Sequence, residues 1–103
     1  MSSERFRDLI EKKGENPLLL FSLGQALIDE EQFEEATIPL QKCCDGNEDW
    51  LMARLLLGKA YVALNHPEQA RHFLDRAREL SIQQEHEEPL VEIERLKNEL
   101  LGN

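Results

Sequence analysis

At 103 residues the chain is sized for one domain with a real core, and a second independently folding domain is excluded. Charged residues make up 32% and hydrophobic ones 41%, and no apolar run approaches the roughly 20 residues that a bilayer-spanning helix needs, so a membrane protein is excluded. The formal charge of −9 opposes approach to a polyphosphate, which argues against nucleic acid and favours basic partners.

The first element is expected at residues 3–13, where RFRDLIEKK places Phe6, Leu9 and Ile10 on one side of a helix. This N-terminus mixes both charges and lacks the apolar stretch of a secretory signal, so the expectation is a cytoplasmic protein. After the break GENP, residues 17–30 read as a second helix with Gly24 near its middle, where glycine costs roughly 1 kcal/mol relative to alanine. A third helix over 33–45 follows EEQ and contains Pro39, which removes one backbone hydrogen bond and is expected to bend the helix. Beyond DGNE, a fourth helix over 49–64 carries a second glycine, Gly58. The break NHP precedes a fifth over 67–82, whose first-turn Pro67 lacks an N–H that would have no helical partner there. SIQQEHEEP reads as a longer loop, and residues 88–101 form a last helix with Leu90, Ile93, Leu96 and Leu100 at helical spacing. Alternating β-branched segments and hairpin dipeptides are lacking, so the chain reads as all-α, and its short breaks predict antiparallel helical hairpins.

Gly24 and Gly58 stand 34 residues apart in similar surroundings, LLLFSLGQAL and LLLGKAYVAL. The same interval joins Leu23 with Leu57, Ala26 with Ala60, Ala36 with Ala70, Leu40 with Leu74, and Cys43 with Ala77. With these residues at this period the sequence resembles the tetratricopeptide-repeat (TPR) family over residues 17–84. The resemblance implies an all-α, right-handed TPR-type superhelix of antiparallel hairpins, in which Gly24 faces the helix of Ala36 and Gly58 that of Ala70. It divides the single domain, 1–103, into an N-terminal helix at 3–13, repeat 1 at 17–50, repeat 2 at 51–84, and a capping helix at 88–101. The last helix lags the period by about two residues and is not counted as a third repeat. Arg54 stands where the family prefers a large aromatic, a place Leu20 holds in repeat 1, and Pro67 replaces the aromatic that Phe33 supplies.

His66, His72 and His86 match no zinc-ligand spacing and read as surface residues, so no metal or other cofactor is expected. The adjacent Cys43 and Cys44 point about 100° apart on a regular helix, which disfavours a disulfide between them. Cys43 reads as core and Cys44 as the more exposed of the two, both at a helix C-terminus where the dipole raises a thiol's pKa. No nucleophile–base arrangement or phosphate-binding glycine loop is found, so catalysis is not expected. Acidic stretches such as IDEEQFEE read as solvated helix surface.

The family geometry implies a concave groove lined by Leu18, Phe21, Gln25 and Ile28 from repeat 1 and Met52, Leu55, Lys59 and Val62 from repeat 2. Such a groove would suit an apolar peptide or amphipathic helix. The lysine and asparagine clamp that chaperone-docking members of the family use for a carboxylate is replaced here by Phe21 and Gln25, followed by Leu56. The expected function is therefore a non-catalytic protein–protein interaction adaptor. The alternative is a structural role, a homodimer joined through the apolar groove or an exposed repeat end.

Overall fold

A computed structural model describes residues 2–102. Six α-helices follow in order: α1 (Ser3–Lys13), α2 (Pro17–Asp29), α3 (Phe33–Gly46), α4 (Leu51–Ala63), α5 (Pro67–Gln83) and α6 (Glu87–Leu101), with no strand among the described residues. None is long and apolar enough to cross a membrane. The connections are only three or four residues long, and each helix packs against the next in sequence.

Local chemistry sets the ends. At the start of α2, Asn16 Oδ1 accepts the Leu19 N–H at 3.0 Å and Pro17 supplies a first turn that needs no donor. The start of α1 is held from another helix: the Glu30 carboxylate accepts both the backbone N–H and the hydroxyl of Ser3 at 2.7 Å. At the ends of α2 and α4, the residues Glu31 (φ 59°) and Asn65 (φ 61°) turn left-handed. In both places the same two bonds close the helix: Glu31 N–H to Ile28 O with Gln32 N–H to Leu27 O, and Asn65 N–H to Val62 O with His66 N–H to Tyr61 O. This is the Schellman pattern, repeated at a spacing of 34 residues.

The glycines have the packing role expected of them. A Cβ on Gly24 would lie 2.5 Å from both Cγ and Cδ2 of Leu40, and one on Gly58 would lie 2.7 Å from Leu74 Cδ2. Leu40 and Leu74 are fully buried, so each hairpin closes by pressing a leucine of its second helix onto bare glycine backbone.

The helices form two unequal rows. α2 touches α4 and α4 touches α6, whereas α1 and α3, like α3 and α5, make no such direct approach. The even row is closed and the odd row is splayed, which curves the stack toward the even helices. Its extents are 41 × 29 × 21 Å.

Three expectations need correction. The fourth helix begins at Leu51 rather than residue 49, because Asn47 folds the chain into a turn, its Oδ1 accepting Asp49 N–H at 3.1 Å and its carbonyl accepting Trp50 N–H at 3.2 Å. The segment SIQQEHEEP is not a long loop: α5 runs to Gln83, α6 starts at Glu87, and the two surplus residues lengthen helix instead. Cys44 is not exposed; it is as buried as Cys43, in the cluster beneath α3 and α4. α3 runs unbroken through Pro39.

Candidate functional site

The eight residues expected to line a groove separate into two groups. Leu18 and Met52, each at the second position of its helix and 34 residues apart, are exposed at 74% and 40%. Phe21 is half-buried, one turn beyond Leu18, and stacks on Trp50 with ring centroids 5.1 Å apart and planes 17° from parallel. Leu18, Phe21, Trp50 and Met52 thus place apolar surface at the N-terminal ends of α2 and α4. Trp50 joins this surface unexpectedly: a helix starting at residue 49 would hold it in the first turn, whereas α4 begins at Leu51 and leaves Trp50 at the N-cap.

Three of the other five are not available to line a groove. Ile28, Leu55 and Val62 are buried at 5%, 4% and 7%. Leu55 and Val62 belong to the same cluster as Ile93 and Leu96, so α6 lies over the part of α4 that was expected to be open. Gln25 is exposed. Lys59 is half-buried and near Glu92: that carboxyl is held below the usual range chiefly by its hydrogen bonds from Arg95, with the Lys59 charge adding to the effect.

Of the residues weighed for chemistry, Cys43 and Cys44 are buried, whereas His66, His72 and His86 are exposed. Burial pushes both thiols up to about 11, which leaves almost no thiolate at neutral pH. The Cys43 thiol donates toward Pro17 O at 3.8 Å. His66 stacks on Tyr61, and the His72 and Phe73 rings meet nearly at right angles. Among the described residues, no three of His, Cys, Asp and Glu converge as a metal site would require. Arg54 lays its guanidinium 5.9 Å from the Phe73 ring centroid and donates from Nε to Glu48 O at 2.6 Å.

No protein-family model matches the chain, and a search of curated proteins finds no relative.

Proposed function

We propose that this chain is a TPR-type interaction module, non-catalytic and cytoplasmic, that docks a peptide or helix of another protein against the apolar strip Leu18–Phe21–Trp50–Met52. What supports the family reading is the period itself, which recurs in two structural features, the glycine–leucine approaches and the Schellman ends of α2 and α4, beside the direct packing of the even helices. The observation that carries the binding reading is the exposure of Leu18 and Met52 at equivalent positions beside a stacked aromatic pair. Apolar side chains left in water at the same place in successive repeats form a surface that a partner can cover.

The test begins with solution mass by light scattering over a wide concentration range, for the wild type and Phe21→Glu. Both are expected at the monomer mass of 12.0 kDa. Peptide selection on the wild type, with counter-selection on a Leu18→Glu/Met52→Glu variant, then identifies the apolar motif. A wild-type dimer dissociated by Phe21→Glu would instead support the self-associating alternative. A selection in which no peptide distinguishes the variants would refute docking at the strip.

A further inference from the structure

The splayed odd row leaves a cleft of about 470 Å³ between α1 and α3, floored by α2. Its apolar wall is Ile10, Leu20, Leu23, Ile38 and Pro39, with Ile38 62% exposed at the edge. Its rim carries Arg7, Glu11, Glu15, Glu35 and Lys42. Both rim cations are already engaged by carboxylates of the chain, Arg7 with Glu35 at 3.4 Å and Lys42 with Glu15 at 2.7 Å. Glu11 is in no such pair among the described residues.

The next repeat shows what this space is built to hold. A shift of 34 residues carries Lys42–Glu15 onto Arg76–Asp49, an ion pair of the same geometry at 3.0 Å, so the two clefts share one register. Under the same shift Ile10 becomes Cys44, Leu23 becomes Leu57, and Pro39 becomes Phe73. Phe73 is buried in one cluster with Cys44 and Leu57, stacks on Tyr61 at 5.8 Å and carries the Arg54 guanidinium over its ring. The cleft at this register in repeat 2 is of similar size, about 490 Å³, but is lined only by polar or charged residues: Glu48, Arg54, His72, Asp75, Arg76 and Glu79. In repeat 1 the aromatic is replaced by the short ring of Pro39 and the arginine by Leu20. Pro39 thus stands in an apolar cleft wall in repeat 1, whereas in repeat 2 Phe73 is buried and the cleft above it is polar. Pro39 also lacks the N–H that the Glu35 carbonyl would accept one turn later in α3, leaving a rim residue short of one backbone donor.

We propose that the α1–α3 cleft receives an aromatic side chain from another protein, presented on a basic segment, in the way Phe73 and Arg54 occupy the equivalent space in repeat 2. The apolar wall selects the ring. The acidic excess of the rim, with its cations internally paired, and the net charge of −9 select neighbouring arginine or lysine. The cleft opens on the odd helices, away from the strip on α2 and α4, so the site stands independently of the function proposed above.

The test is an amide chemical-shift titration of the full chain. The probes are the amidated peptide Gly-Arg-Phe-Arg-Gly and a counterpart with alanine in place of phenylalanine. The expected result is saturable shifts at Ile10, Leu20, Leu23 and Ile38 with the first peptide and at least about tenfold weaker binding of the second, since a buried aromatic anchor dominates such contacts. Pro39→Phe and Leu20→Arg each copy repeat 2 and should weaken the first peptide to the level of the second. Leu18→Glu should leave this titration unchanged, which separates it from a failure of the strip. Equal binding of both peptides, undiminished binding by the folded variants, shifts that map to Leu18 and Met52, or an Ile38 amide that moves with protein concentration alone would each overturn the proposal. The last would make a second copy of the chain the occupant.

Discussion

Gly24→Ala brings two opposed effects onto one atom. Intrinsic helix propensity favours alanine by about 1 kcal/mol in the interior of a helix such as α2. The added methyl, however, would stand 2.5 Å from two carbons of Leu40, about 1 Å inside the roughly 3.5–4.0 Å optimum for such pairs. Leu40 has no exposed surface to swing into, so relief requires α2 and α3 to separate or the leucine to leave its rotamer. Overpacking of this kind costs about 1–3 kcal/mol. The expected net is a destabilisation of about 1 kcal/mol, a fall in melting temperature of roughly 4–8 °C for a domain of this size. In a Leu40→Ala background the obstruction is gone and only propensity remains, so the same substitution should stabilise by about 1 kcal/mol. Urea and thermal unfolding of the four proteins, followed by far-ultraviolet circular dichroism, measure both effects. A stabilising Gly24→Ala in the wild type, or the same effect in both backgrounds, would refute close approach as the reason for the glycine.

Glu31 adopts φ 59° at the end of α2, so Glu31→Gly should stabilise by about 0.5–1 kcal/mol in the same unfolding assay; Asn65→Gly, replacing a residue that tolerates this conformation, should gain less. The Glu30 carboxyl is held below its ordinary value of 4.5, first by the Ser3 backbone N–H and then by its hydroxyl. A lowered folded pKa adds stability above the unfolded value and loses it as pH falls through the folded one. The wild type should therefore exceed Glu30→Gln in urea midpoint at neutral pH, with the difference vanishing in strong acid; a difference independent of pH would contradict the pairing. With both thiols pushed up to about 11 and buried, Cys43 and Cys44 should react with an alkylating reagent at neutral pH far more slowly than in denaturant, and equal rates would show that the α3 end opens freely.

The helices were legible because punctuation and period agreed. Asn16-Pro17, His66-Pro67 and the two glycines each reported local backbone geometry, and the 34-residue interval set Gly24 against the helix of Ala36 and Gly58 against that of Ala70, where the contacts prove to be with Leu40 and Leu74. The groove was only half legible. Leu18 and Met52 stay exposed, whereas Leu55 and Val62 vanish under Ile93 and Leu96. That burial depends on where α6 docks, and the docking was hidden by a surplus of two residues that broke the apparent period while extending helix rather than loop.

The comparison of repeats also separates residues that hold the stack from residues free to do something else. Where the two repeats agree, as at Leu23/Leu57, Ala36/Ala70 and Leu40/Leu74, both members are buried and the position is fixed by packing of one hairpin. Where they disagree, both positions stay helical: Pro39 and Phe73 are both buried but differ in size, and Leu20/Arg54 changes the cleft lining from apolar to charged. Pro39 is costly inside a helix, about 3 kcal/mol by propensity, and an aromatic at the equivalent position packs well in repeat 2. A residue that lowers stability and opens an apolar cleft, in a fold whose other repeat shows the stable solution, follows the pattern expected when local consistency yields to a binding requirement.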